Sequence, residues 1–209
     1  MEDQNKIPLD EQEPESLKLD EVQDEASAEP KSVPEPLVKA HEDLVLSGES
    51  DDAILRTKLK LVQFPLSRQA REDIVNLETI CLKIWDEKIG TGLAMNQIGR
   101  STRAFCAMLN WRPVIFINPV IIAHSESKFN SVEFCLSAPG IGVRMRRWKD
   151  ITVSYFDEDG SEKIWRSKFK KQAALVQHEI QHTLGILITD YMDPKKKNFG
   201  YGMKERNLN

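Results

Sequence analysis

His178-Glu179-Ile180-Gln181-His182 restricts this chain more than any other stretch of it. Two imidazoles four residues apart meet at one point only if the backbone between them is helical, because residues i and i+4 share a helix face. On such a helix the pair can grip one metal ion. Glu179, beside the first histidine, can then reach a water at that ion and move its proton. The plainer reading is a solvated helix face, since Lys170 and Lys171 lie on the same stretch. Against it, the 209 residues hold only four histidines, and two of them fall at this spacing with a glutamate between.

Two imidazoles leave a further ligand to find. The extended protease motif H-E-x-x-H-x-x-G-x-x-H is met at Gly185 but fails at its last position, which is Ile188. His41 and His124 are the remaining histidines, and neither sits in a motif. Cys135, in Glu133-Phe134-Cys135-Leu136-Ser137 at the edge of a Pro/Gly turn, is the better candidate. A thiolate with two imidazoles suits Fe(II) or Zn(II), and three protein ligands leave one position open for water. A small buried hydrophobe is the ordinary alternative for a free cysteine. Cys81, Cys106 and Cys135 are odd in number and scattered, which argues against a disulfide framework and for a reducing compartment.

The surrounding pattern is mixed. Ile74, Leu77, Ile80, Cys81, Ile84 and Trp85 recur at spacings of three and four, predicting a helix between Pro65 and Gly90 with Ser67 as cap and Gly90 as stop. Short runs rich in β-branched and aromatic residues follow: Arg103 to Leu109, Val114 to Ile117, Val120 to Ala123, Ile151 to Phe156 and Lys163 to Arg166. These read as strands, with Asp159-Gly160 the clearest hairpin signal. A second helix, from about Lys168 to Thr183 and closed near Gly185, carries the histidines. The expectation is an α+β domain in which antiparallel strands pack around a central metal-binding helix.

Charge divides the chain. Residues 1–52 hold 17 Asp/Glu against 4 Lys/Arg, and residues 53–209 hold 16 against 25, so formal charges of −13 and +9 lie behind the net −4. Residues 1–44 read as a disordered acidic extension, because a stretch rich in Glu, Asp, Pro, Ser and Gln and without an aromatic residue cannot bury enough apolar surface to offset the entropy of ordering. Residues 45–193 make one domain, and 194–209 a basic tail. Neither a secretory signal nor a transit peptide fits the acidic start, and no apolar run spans a bilayer, so a soluble cytoplasmic protein is expected.

Three segments now stand in order: Gly90-Thr91-Gly92-Leu93-Ala94-Met95-Asn96-Gln97, Glu133-Phe134-Cys135-Leu136-Ser137 and Gln177-His178-Glu179-Ile180-Gln181-His182. Together they resemble the peptide deformylase family, whose pattern is G-x-G-L-A-A-x-Q, E-G-C-L-S and Q-H-E-x-D-H. The likeness runs from about Asp51 to Asp193 and takes in Ile117-Asn118-Pro119 and Ala138-Pro139-Gly140.

The resemblance implies hydrolysis of the formyl group from N-formylmethionyl peptides of nascent polypeptides, an early step of N-terminal methionine processing. It implies one divalent metal, Fe(2+) or Zn(2+), held by Cys135, His178 and His182, with Glu179 as general acid–base. Gln97, through its side chain, and Leu136, through its backbone N–H, would stabilise the oxyanion. Gly90, Gly92 and Glu133 would line the approach of the substrate, and Ala174 and Leu175 could accept a methionine-like side chain.

Phe134, Gln181 and Met95 depart from the family pattern, with Arg147 as a partner for Gln181. If the segment is extended, Phe134 points away from the face shared by Glu133 and Cys135, reshaping the groove while leaving the ligands in place. Competing readings are a metallopeptidase or another amide hydrolase, and a non-catalytic protein that keeps its metal while Phe134 blocks the groove. Partners expected besides the peptide are a transient ribosome contact through the basic domain, no membrane, and no specific nucleic acid.

Overall fold

Ala104-Phe-Cys-Ala-Met-Leu109 contains no polar side chain, and strand β2, which it forms, is buried on both faces. A strand of this kind needs a covering layer on each side. Cys106 and Met108 pack on helix α1 (Arg68–Asp86) through Ile74, Leu77, Ile80 and Ile84. Phe105, Ala107 and Leu109 turn the other way, onto Ala173, Val176 and Ile180 of helix α2 (Lys170–Thr183).

A computed structural model describes residues 44–45, 52–192 and the backbone of 200–201. Leu44, the last residue of the expected acidic extension, is buried against the core; the rest of that extension and most of the expected basic tail lie outside the described residues. No helix among the described residues is long and apolar enough to cross a membrane.

β2 belongs to a five-stranded antiparallel sheet of order β1-β2-β3-β6-β7, with β1 Gly92–Ala94, β3 Arg112–His124, β6 Ile151–Phe156 and β7 Glu162–Arg166. The two runs expected at 114–117 and 120–123 are one strand, β3, broken in register at Asn118-Pro119. There Asn118 takes φ 51°, and its side-chain amide exchanges two 2.9 Å hydrogen bonds with the backbone of Val62, standing in for a ladder rung. The hairpin expected at Asp159-Gly160 joins β6 to β7, with Gly160 at φ 81° and the Asp157 carboxylate accepting from the N–H groups of Asp159 and Ser161.

The ends of α1 differ from expectation on one side only. Ser67 caps it as expected, its Oγ accepting from Ala70 N at 3.1 Å. Its last residue is Asp86, however, and Lys88 rather than Gly90 takes the left-handed turn, at φ 60°. α2 begins at Lys170 and closes through Gly185, whose φ is 73° and whose N–H donates to His182 O.

A second sheet was not legible beforehand. β4 (Lys128–Cys135) pairs antiparallel with β5 (Ala138–Trp148), and β8 (Gly200–Tyr201) adds to β5 in parallel. Polar and charged residues interrupt both long strands, and two of those charges pair inside, Glu133 with Arg147. The Gln177 side-chain amide bonds both backbone groups of Trp148, docking α2 on the end of β5. α2 therefore runs between the two sheets, and nearly every residue from Ala173 to Thr183 is buried.

Candidate metal centre

Burial of α2 on all sides turns its polar residues onto one another and onto the two sheets. His178 Nε2 and His182 Nε2 lie 3.2 Å apart, and Cys135 Sγ, at the end of β4, lies 3.2 Å from His182 Nε2. All three donor atoms fall within 4.8 Å of one another, a spacing that could hold a metal ion. The cluster thus joins a helix to the inner face of the smaller sheet.

Its electrostatics suit a cation. Burial pushes the Cys135 thiol up to about 12, and the charges of Glu179 and Glu133 add to the effect. A sulfur so placed ionises only with a positive charge beside it, which a divalent metal supplies. Burial also holds His182 well below the ordinary imidazole range, leaving it neutral as a ligand must be. His178 Nδ1 donates to Glu133 Oε2 at 3.0 Å, which fixes the tautomer and turns the Nε2 lone pair to the cluster. The donor set fits one divalent ion of the Fe(II) or Zn(II) type.

Glu179 is buried at the same place. Its Oε2 has no hydrogen-bond partner in the protein, and burial first, then Cys81 and Glu133, raises its carboxyl well above the usual range. An unpartnered buried oxygen costs free energy, so its retention points to chemistry rather than to packing. Gly92 makes the room: a Cβ there would lie 2.5 Å from Glu179 Oε1 and 2.8 Å from Leu175 Cδ1. Gln97 enters from the short 3-10 turn Met95–Ile98. Its Oε1 accepts from Ala94 N at 2.9 Å, so its NH2 faces Ser137 Oγ at 3.2 Å and Cys135 Sγ at 3.8 Å.

The structure thus brings together Cys135, His178, His182, Glu179, Gln97 and Gly92. Leu136 follows Cys135 in the chain, and its side chain abuts Gly90, where a Cβ would come within 3.0 Å of Leu136 Cδ1. Glu133, expected beside the substrate, has its side chain turned to protein partners. Its carboxylate is held from within: Arg147 Nε donates to its Oε1 at 2.7 Å and Arg147 Nη2 to its Oε2 at 2.5 Å, the oxygen that His178 also uses. Burial alone would raise this carboxyl, but the Arg147 charge and hydrogen bonds, with His178, hold it at about 2. His124 stacks on Trp148, ring centroids 4.0 Å apart, and is no part of the cluster. His41 lies outside the described residues.

Other residues support the donors, and of these Asn96 carried no assigned role in the sequence. Asn96 Nδ2 donates to His182 O at 2.7 Å and to Leu55 O at 3.1 Å. Gln181 accepts from Arg147 Nη1 and donates to the Tyr191 hydroxyl, both at 2.8 Å, so the Arg147 partnership expected of it is present. The sequence signals are weak: Asn96 is a polar residue inside an apolar run, and Arg147 is one of three arginines on β5. Phe134 is 67% exposed and lies over Gly142 on the outer face of β4, opposite to the face of Glu133 and Cys135.

Fold and donors define a class, an α+β protein in which two helix-borne histidines and a strand cysteine could hold one ion. Comparison with known proteins narrows it. A sequence model described as polypeptide deformylase matches residues 48–198. The peptide deformylase of Pseudothermotoga lettingae is 33% identical over 70% of this chain and 88% of its own length. That of Borreliella burgdorferi is 38% identical over 56% and 72%. Among solved structures, peptide deformylase from Thermotoga maritima matches with TM-score 0.61 and 30% identity over 72% of this chain and 97% of that one. The Synechococcus elongatus enzyme in complex with actinonin matches with TM-score 0.62 and 27% identity over 73% and 81%. The chain belongs to the polypeptide deformylase family.

Proposed function

We propose that the protein removes the formyl group from N-formylmethionyl peptides of nascent polypeptides, with one divalent ion held by Cys135, His178 and His182. The observation that carries this reading is the meeting of those three donors beside the buried, unpartnered carboxyl of Glu179. The ion, when bound, would supply Lewis acidity, polarising the formyl carbonyl and acidifying a water that attacks it.

The chain's own groups do the rest. Glu179 takes a proton from the attacking water and delivers it to the amine nitrogen as the formyl C–N bond breaks, giving formate and a free N-terminus. Burial raises its carboxyl well above the usual range, which favours the protonated form that hands the proton to the leaving amine. Gln97 Nε2 and the Leu136 N–H donate to the carbonyl oxygen as negative charge builds there, and burial makes such fixed donors worth more than water. Gly90 and Gly92 let the substrate backbone come close. Because Phe134 faces the other side of β4, a blocked groove gains no support from it.

Formate release from formyl-Met-Ala-Ser by iron-loaded protein, prepared without oxygen, tests the reaction; no release with one ion bound per chain would sink it. Cys135→Ala is expected to lose the ion, falling from about one per chain to near none in metal analysis of the dialysed protein. Equal metal content in the two would remove Cys135 from the ligand set.

The reaction as proposed runs in the cytoplasm, on chains leaving the ribosome. The +9 formal charge of residues 53–209 favours transient, sequence-independent approach to that phosphate-rich surface. Co-sedimentation with ribosomes should weaken steeply as salt rises; salt-insensitive or absent pelleting would count against it.

A further inference from the structure

β2 and β3 are joined by only two residues, Asn110 and Trp111, with φ 51° and 66°. Tips of this geometry favour Asn followed by Gly, since a side chain at the second position is held in the left-handed region. Here that position carries tryptophan, 84% exposed, more so than any other large apolar side chain among the described residues. A strained backbone that holds an exposed aromatic ring out to solvent is a feature that packing does not explain.

The ring is not loose. It stands edge-on against Trp85 of α1, with centroids 5.6 Å apart and planes at 74°. Asn110 Oδ1 accepts from Gln172 Nε2 at 3.1 Å, which ties the tip to the first turn of the histidine-bearing helix.

The tip also lies at the end of a path that begins at the metal donors. β1 pairs antiparallel with β2, Gly92 opposite Ala107, and Met108 N donates to Thr91 O at 2.8 Å. Followed backwards from Gly92, the chain therefore runs alongside β2 towards Leu109 and the tip. Among the described residues β1 has β2 as its one strand partner, so the backbone groups of its other edge, though buried, have no strand paired to them and could take an extended peptide. Gly92 adjoins Glu179. A peptide with its reacting end at Glu179 that follows this edge passes Thr91 and Gly90, and comes to the two tryptophans after about three residues at 3.3 Å each.

We propose that Trp111, backed by Trp85, is a binding platform for the third and fourth residues of the substrate peptide, favouring apolar side chains there. The proposal rests on the deformylase reading of the site. The test compares formyl-Met-Ala, too short to reach the tip, with formyl-Met-Ala-Leu-Leu, using full-length metal-loaded protein. The natural chain should favour the longer peptide by roughly three- to tenfold in kcat/KM, the range of one aromatic contact. Trp111→Gly should lose that advantage through KM while its rate on formyl-Met-Ala stays unchanged. Glycine suits the backbone at this position, so the melting temperature should not fall. Trp111→Phe should keep part of the preference.

An unreactive analogue, acetyl-Met-Ala-Leu-Leu, gives a readout independent of turnover. Calorimetric binding should be several-fold tighter for the natural chain than for Trp111→Gly. Equal binding, or an unchanged preference between the two formyl peptides, overturns the platform. Absence of formate release with the binding difference intact overturns the deformylase reading and leaves the platform standing.

Discussion

Glu179→Gln is expected to lower formate release by at least about 100-fold, the lower end of what a positioned acid–base contributes, while metal content remains at one ion per chain. The argument rests on shape and surroundings. Glutamine fills the same volume against Gly92 and Leu175, so the donors Cys135, His178 and His182 need not move. What it removes is the ability to take a proton and return it. It also replaces a buried carboxyl that has an unpartnered oxygen, so the thermal midpoint should hold or rise. Formate and metal measured on the same preparation decide the matter: turnover within tenfold of the natural chain would mean that another group moves the proton.

Arg147→Met should cost about 3–5 kcal/mol of folding stability, the range seen when one partner of a buried ion pair is removed. The guanidinium is 2% exposed and makes two hydrogen bonds to Glu133 and one to Gln181. Methionine would leave the Glu133 carboxylate buried beside apolar surroundings with His178 as its remaining partner. The second substitution separates stability from function. Arg147→Met with Glu133→Leu removes both charges, so much of the lost stability should return. Metal affinity should nevertheless stay about 10- to 100-fold weaker, because His178 then lacks the group that orients it. Urea unfolding and chelator competition read the two effects. A loss under about 1 kcal/mol in the single variant would show that Glu133 finds water instead.

The parts of the fold that could be read beforehand are those whose pattern is local. The spacing along Ile74, Leu77, Ile80 and Ile84 is the buried stripe of α1, and the motif histidines share a face of α2 as their separation requires. Asp159-Gly160 is a turn for reasons contained within the turn. β4 and β5 escaped because their polarity is resolved only across the fold: Glu133 looks like a surface acid until Arg147, on the neighbouring strand, is seen to meet it. For the same reason nothing in the sequence marks Glu133 as the group that orients a histidine. The break at Asn118-Pro119 hid the continuity of β3, since nothing in the sequence announces that an asparagine side chain will replace a backbone rung. Lys88 in a left-handed turn carries no signal at all, and Gly90 drew attention for a freedom used instead in close packing against Leu136.

Phe134 and Gly142 face each other across β4 and β5, and a Cβ on Gly142 would sit 2.9 Å from the phenylalanine ring. Size at one position is possible because the other has none. A bulkier residue at 142 would push the ring aside, and glycine at 134 would strip the cover from a bare stretch of backbone. The pair therefore fits by shape, on the side of the sheet turned away from Cys135. Variation there can accumulate in this lineage as a matter of surface fit, insulated by one strand's thickness from the chemistry behind it.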